Sequence, residues 1–122
     1  MNTFRMYAGP DGETHFADSE ISYEAVTEMI SRAQMQPAQS ITFNHAKAGM
    51  TYDWHPAPRR QYVIGLVGEY ECETSDGEVR KVGPGTVMLA EDLVGKGHIM
   101  RVPAGNDIYY CAVPLADQTP TP

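Results

Sequence analysis

The stretch 41–113 is a succession of short runs rich in apolar and β-branched residues, and this pattern constrains the fold more than any other feature. The runs are separated by turn-forming residues, of which 75–78 (Ser-Asp-Gly-Glu) is the clearest hairpin turn. Many short strands at such spacing are typical of an antiparallel barrel or jelly roll. The chain is therefore predicted to be all-β over this region, with strands near 41–44, 50–55, 61–67, 70–74, 79–82, 87–90, 98–102 and 109–113.

The residues before this stretch read as an N-terminal extension, 1–40. Residues 1–17 suit a hairpin whose turn is Pro10-Asp11-Gly12. In 22–34 the pattern changes, because Ser22 can cap a helix and Pro37 would end it. The apolar residues there recur at helical spacing, at Tyr23, Val26, Met29, Ile30 and Ala33. We expect one short helix, with a loop or strand imposed by tertiary contacts as the alternative.

Length, charge and composition limit the class of protein. At 122 residues the chain is predicted to be one domain, with an extension at 1–40, a barrel at 41–115 and a polar, proline-rich tail at 116–122 that frays. A net charge of −7 argues against a nucleic-acid partner. The sequence has no long apolar run that would span a membrane and no secretory signal, so a cytoplasmic protein with reduced Cys72 and Cys111 is expected.

Two histidines lie in separate predicted hairpins at suggestive spacing. Gly49 is followed by His55 after five intervening residues, and Gln61 precedes Gly68 by six intervening residues. His98 ends a later run that begins with Gly-Pro-Gly at 83–85. Such an arrangement would bring two imidazoles and an amide together at the mouth of a small barrel.

This layout resembles the two motifs of the cupin family. The glycines and the first histidine of the first motif match at Gly49, His55 and Gly68, whereas Ala57 stands for the second histidine and Gln61 for the glutamate. In the second motif the Pro-Gly at 84–85 and His98 match, but the middle differs. The resemblance implies a cupin antiparallel β-barrel (jelly roll) with an N-terminal extension, and it leaves the reaction open because cupins have many activities.

The resemblance also implies a metal site built from His55, Gln61 and His98. Two imidazoles and an amide would bind one divalent ion, such as Fe, Mn, Ni or Zn, without any negative charge. Such an ion would keep its full charge and act as a Lewis acid. The alternative is a cupin that has lost its metal, in which the histidines line the cavity as polar groups.

Asp53 and Glu91 are the candidate acid–base pair, acting with His55 and His98. A carboxyl group in a barrel mouth is partly desolvated, which raises its pKa toward useful values. Glu91 would alternatively fill the vacant ligand position. Each of these carboxylates also has a purely structural interpretation. Asp53 would lie at a solvated strand end, and Glu91 and Asp92 would lie on the face of a loop. The structural interpretation is favoured for Asp92.

Three cations near these positions, together with Met100, are the candidate substrate-binding residues. Arg59 and Arg60 are adjacent on one strand, so at most one is expected to enter the site. Lys96 lies between two glycines on a loop. Arginine binds carboxylates through paired hydrogen bonds, which favours a carboxylate-bearing substrate.

The remaining histidines have weaker claims. His15 lies on the N-terminal hairpin and is expected at a surface or interface, although a place in the site stays open. His45 is expected at a strand end. Trp54 and the N-terminal hairpin have no obvious place in so small a barrel, so we expect a homodimer that uses the N-terminal strands.

The sequence therefore predicts a small cupin enzyme that acts on a polar small molecule by Lewis-acid or acid–base chemistry. Isomerisation or elimination is favoured, with oxygenation as the redox variant. Two alternatives stay open. One is a metal-free enzyme in which His55, His98 and Glu91 move protons; the other is a binding or sensor module without turnover.

Overall fold

The structure is a computed structural model that describes all residues, Met1–Pro122, and contains twelve strands and no helix. In chain order the strands are β1 (Thr3–Ala8), β2 (Thr14–Asp18), β3 (Glu24–Ala25), β4 (Ser31–Arg32), β5 (Thr42–Ala46), β6 (Thr51–His55), β7 (Gln61–Val67), β8 (Tyr70–Thr74), β9 (Val79–Val82), β10 (Val87–Glu91), β11 (His98–Arg101) and β12 (Ile108–Pro114). The all-β prediction is confirmed.

Ten of these strands form two sheets that enclose one core. The larger sheet has the order β2-β1-β10-β7-β12-β5 and the smaller has β6-β11-β8-β9. Every pairing is antiparallel except that of β1 with β10, which is parallel. Consecutive strands often lie in different sheets, as in a jelly roll, so the predicted barrel is present with one parallel pair added.

Alternation along each strand sends every second side chain into the space between the sheets. Phe4 and Met6 of β1 and Met88 of β10 enter from the larger sheet, while Cys72 and Val82 enter from the smaller one. All five are almost completely buried. This single core holds the two sheets together and fixes the position of the strands that carry the site.

The N-terminal hairpin predicted at 1–17 is present as β1 and β2. Its inner strand also pairs with β10, from Thr3 opposite Val87 to Tyr7 opposite Glu91. The hairpin therefore belongs to the chain's own larger sheet, and β1 has neighbours on both sides within the same chain.

The helix predicted over 22–34 is wrong. Residues Glu24–Ala25 and Ser31–Arg32 form a separate two-stranded hairpin instead, closed by hydrogen bonds from the Val26 and Thr27 amides to the Ile30 carbonyl. The Thr27 hydroxyl accepts bonds from the amides of the two residues before the return strand, a local arrangement that competes with helix formation. An amphipathic helix also needs a surface to bury its apolar face, and this segment has none within the chain.

The C-terminal tail, which its composition predicts to fray, is hydrogen-bonded to the barrel. The Gln118 side chain accepts a bond from the Arg60 amide and donates to the Arg60 carbonyl. The amide and hydroxyl of Thr121 both donate to Glu91. No helix in the structure is long and apolar enough to cross a membrane.

Candidate functional site

A cavity of about 250 Å³ opens between the two sheets, where the ends of β6 and β11 meet the start of β7. It is lined by aromatic, sulfur-containing and small apolar side chains with two imidazoles and one amide among them. The lining residues are Tyr52, His55, Pro56, Ala57, Pro58, Gln61, Val63, Tyr70, Cys72, Met88, Ala90, His98, Met100 and Tyr110. The convergence of His55, Gln61 and His98 on one cavity agrees with the motif spacing.

His55 and His98 lie directly opposite each other on the paired strands β6 and β11. Their ring centroids are 4.4 Å apart, so a single small molecule would contact both imidazoles. The residue before His98 must be small for this approach. A Cβ atom on Gly97 would lie 2.2 Å from the His55 carbonyl oxygen, and Gly97 has a φ of 81°.

His98 is hydrogen-bonded to a buried carboxylate. Its Nδ1 lies 2.7 Å from Oδ2 of Asp92, which is 0% exposed. The Thr14 hydroxyl donates a long bond of 3.5 Å to the same oxygen, while Oδ1 of Asp92 has no partner. Because a carboxylate only accepts hydrogen bonds, the proton of neutral His98 lies on Nδ1, and its Nε2 keeps a free lone pair.

His55 is held as a neutral imidazole. Its Nδ1 lies 2.5 Å from the Asp53 carbonyl oxygen, an acceptor, so Nδ1 donates and Nε2 has the free lone pair. Burial lowers the pKa of His55 because it disfavours the charged ring, and the neighbouring His98 adds to this effect. The bond to Asp53 acts in the opposite direction but is outweighed.

Two tyrosines of the cavity wall, Tyr70 and Tyr110, keep their protons. Burial raises the pKa of Tyr110 and raises that of Tyr70 well above its usual value. Tyr52 packs on His55 with ring centroids 3.9 Å apart. Burial also raises the pKa of Cys72 to about 12, so its sulfur is a thiol near neutral pH and a poor nucleophile.

The donor set does not fit a tightly held metal ion. No group of three or more His, Cys, Asp and Glu side chains is placed to hold one, because Ala57 has no donor where the cupin motif has a histidine. The nearest carboxylate, Asp92, is bonded to Nδ1 of His98 and is absent from the cavity lining. Two imidazoles and the neutral amide of Gln61 would be the ligands, which is a weak set.

Glu91 is not in the cavity, contrary to its predicted role as acid, base or ligand. It is buried on the other side of β10, where Arg5 donates to Oε1 at 3.0 Å and Arg60 donates to Oε2 at 2.9 Å. Burial by itself raises the pKa of Glu91, but the bonds from Arg60, Thr121 and Arg5 lower it overall. Glu91 is therefore a carboxylate that holds the fold together.

The other predicted charged site residues also lie outside the cavity lining. The Asp53 side chain is exposed and accepts a bond from the Trp54 amide, so only its backbone carbonyl contacts a site residue. Arg59 is exposed, and Lys96 is paired with Glu13 on the surface. Of the four predicted substrate-binding residues, the structure places only Met100 in the cavity wall.

The two remaining histidines are surface residues. His15 is hydrogen-bonded to Asp11 and Asp76, and the bond to Asp11 is the main cause of its raised pKa. His45 lies on β5, paired with Asp107 and stacked on Tyr109 at a centroid distance of 4.7 Å. Neither imidazole lines the cavity.

Sequence reasoning missed Asp92 and the three tyrosines of the wall. Asp92 precedes His98 by six residues, on the connection from β10 to β11, and this spacing was the signal available for it. Two neighbouring acidic residues look alike in sequence, however, and the exit from β10 alone decides which one faces His98. For Tyr52, Tyr70 and Tyr110 the strand alternation offers a signal once the register is known.

One solved structure with a similar fold is a bacterial cupin domain. A cupin domain from Bordetella pertussis Tohama I, solved as a crystal structure, is 14% identical over 80% of this chain and 93% of that chain, with a TM-score of 0.49. No protein-family model matches the chain, and no curated protein sequence matches it. The jelly roll rests on the strand order of the two sheets. The two motif segments are not hairpins, because β6 and β7 lie in different sheets, as do β10 and β11. Any function must be argued from the site.

Proposed function

We propose that this protein transfers a proton on an uncharged small molecule without a metal ion. The observation that carries the proposal is the buried Asp92–His98 pair. The bond to Asp92 leaves Nε2 of His98 free, and His98 lines a cavity that also holds the neutral imidazole of His55. A carboxylate that fixes one nitrogen of a histidine makes the other nitrogen a better base and stabilises the imidazolium formed when it takes a proton.

His98 is the proposed general base. Its Nε2 takes a proton from a carbon or hydroxyl of the substrate, and the bond to Asp92 stabilises the resulting charge. The same nitrogen then returns the proton at a neighbouring atom, which gives an isomerisation. His55 accepts a hydrogen bond from the substrate through its own Nε2, and the protonated Tyr110 phenol is available as a donor to a carbonyl oxygen.

The lining favours an uncharged substrate. No Arg, Lys, Asp or Glu side chain is part of the cavity wall, and the chain has a net charge of −7. Of the arginines next to lining residues in sequence, Arg60 is bound to Glu91, Arg101 is paired with Glu73, and Arg59 is exposed. A carboxylate-bearing substrate would enter a cavity whose wall has no cationic side chain to pair with its charge. The site therefore supports a neutral ligand, in place of the carboxylate-bearing substrate expected from the sequence.

The size of the cavity limits the ligand further. At about 30 Å³ for each water-sized atom, a cavity of about 250 Å³ holds on the order of ten non-hydrogen atoms. The flat walls of Tyr52 and Tyr110 suit a ring. Small cyclic ketones and hydroxyketones match these requirements, because their α-hydrogens are acidic enough for an imidazole base.

Deuterium exchange tests the proposal without knowledge of the natural substrate. A panel of uncharged cyclic ketones of six to ten carbons is incubated with the protein in D2O, and α-deuteration is followed by NMR. We expect exchange with the untreated protein and with chelator-treated protein, loss of exchange in His98→Gln, and unchanged exchange in the surface control His45→Gln.

Three results would overturn the proposal in different ways. Exchange that chelation abolishes and zinc or iron restores would mean that His55, Gln61 and His98 hold a metal after all. Ketones that bind without exchange would favour a binding module. Exchange that survives His98→Gln would move the base elsewhere.

A further inference from the structure

The hairpin around β3 and β4, which we call the arm and define as residues 22–35, packs on nothing within the chain. Its two strands form a sheet of their own, and every large apolar side chain on it is exposed. Met29 is 91% exposed and Met35 is 82% exposed. Isolated two-stranded hairpins with such short strands are marginally stable in water, so the arm lacks a surface to cover it.

The larger sheet has an uncovered apolar surface on the side away from the core. Phe43 on β5 lies opposite Cys111 on β12, and Cys111 lies opposite Ile64 on β7, so these three side chains share one face of the sheet. Cys111 itself is only 4% exposed. Phe43 is 76% exposed. The other exposed apolar residues on these strands or beside them are Ile41, Leu66, Val67 and Tyr109, and we call this surface the outer patch.

The arm and the outer patch lie on the same side of the molecule. Before the arm, the chain is held at Ser19, whose carbonyl accepts a bond from the Thr3 hydroxyl. Directly after the arm, it is held at Gln36, which donates to the Tyr62 hydroxyl. Thr3 and Tyr62 alternate with the buried Phe4 and Val63, so both point outward from the larger sheet. The arm therefore projects from the sheet face that carries the outer patch.

We infer that a second copy of this chain covers both surfaces, with the arm of each copy lying on the outer patch of the other. A twofold arrangement needs each copy to carry both halves of the contact, as this chain does. Each aromatic side chain buries roughly 150–250 Å². The apolar residues of the arm and the patch thus supply on the order of the 800 Å² per copy that a stable interface needs.

This inference differs from a dimer built on the N-terminal strands, because β1 and β2 already pair within their own sheet. It does not depend on the proposed proton transfer, since neither the arm nor the patch contributes to the cavity lining. At the patch, His45 stacks on Tyr109 and is paired with Asp107.

Light scattering at micromolar concentration tests the assembly. We expect a mass of twice the 13.5 kDa chain for the unmodified protein and for Val94→Glu, a matched control that places a carboxylate at an exposed valine on a loop away from both surfaces. Met29→Glu and Phe43→Glu should each shift the mass toward that of one chain. Circular dichroism and thermal unfolding identify any variant that fails to fold.

A disulfide experiment distinguishes crossed arms from other dimers. Cys72 and Cys111 are buried, so single cysteines introduced by Met29→Cys and Phe43→Cys provide the exposed thiols. When the two variants are mixed and oxidised, we expect a disulfide-linked heterodimer; Met29→Cys mixed with Val94→Cys should give none. A monomeric unmodified protein, or a dimer that persists in both glutamate variants, would overturn the inference.

Discussion

Glu91 and Asp92 are neighbours in sequence, both carboxylates and both almost completely buried, yet they do different work. Glu91 points to one side of β10, where two arginines and Thr121 satisfy both of its oxygens. Asp92 points to the other side, where His98 bonds one oxygen and the second oxygen has no partner. The fully satisfied carboxylate secures the fold, while the incompletely satisfied one adjoins the cavity.

The contrast teaches that burial of a carboxylate does not by itself mark a functional site. What separates the two is the kind of partner. Permanently charged guanidinium groups fix Glu91 as an anion, whereas an imidazole can gain and lose a proton beside Asp92. The first three predictions each change one side of this pair, and the fourth compares two histidines.

The largest effect is expected for Glu91→Ala. Removing one member of a buried ion pair leaves Arg5 and Arg60 without their partner, which costs on the order of 3–5 kcal/mol. Denaturant unfolding measures the loss. The exposed Glu20→Ala, outside the arm, serves as the control and should change the free energy of unfolding by less than about 0.5 kcal/mol. A loss for Glu91→Ala as small as that of the control would mean that the pair contributes little.

Asp92→Asn should instead damage the chemistry. The amide keeps the shape of the side chain but no longer stabilises an imidazolium at His98, so proton transfer should fall on the order of 100-fold. Its effect on stability should be smaller than that of Glu91→Ala. Ketone deuteration and denaturant unfolding, measured on both variants, give the two quantities. If Glu91→Gln lowered exchange as much as Asp92→Asn did, the assignment of roles would be wrong.

Thr121→Ala should have a moderate effect that is confined to the Glu91 side. It removes one hydrogen bond to a buried carboxylate, worth about 1–2 kcal/mol. Hydrogen exchange of the 116–122 amides should increase in this variant. Deuteration of ketones should stay unchanged, because the tail does not line the cavity.

The smallest effects are expected from pH, and two histidines should respond in opposite directions. The pKa of His55 is lowered by burial, so stability from this group decreases as pH falls below the unfolded value of 6.5. The pKa of His15 is raised by Asp11, so its stabilising effect is present below 6.5 and is lost as pH rises through the folded value. NMR titration of the ring protons should place the two midpoints on opposite sides of 6.5.

The sequence allowed the strand pattern and the meeting of two histidines to be predicted, because alternation and motif spacing are local signals. His55, Gln61 and His98 share one cavity for this reason. Which of Glu91 and Asp92 faces His98 depends on how the chain leaves β10. The partner of Glu91 is Arg5, which lies on a strand that is distant in sequence. No local pattern carries that information.

The arm shows a second limit. Val26, Met29 and Ile30 recur at helical spacing, but this pattern specifies a helix only when a complementary surface is available. The Thr27 hydroxyl and a turn at 27–30 give this segment a local alternative. Apolar periodicity in a segment without a partner surface was therefore misleading.

The most direct test of the Asp92–His98 pair is a long-range proton–nitrogen NMR spectrum of the histidine rings, recorded for the unmodified protein and for Asp92→Asn. We expect neutral His98 to have its proton on Nδ1 and a bare Nε2, and Asp92→Asn to reduce this tautomer while the spectrum of Glu91→Gln is unchanged. A neutral His98 with its proton on Nε2 in the unmodified protein would overturn the proposed role of His98, because Nε2 would then be unable to accept a proton.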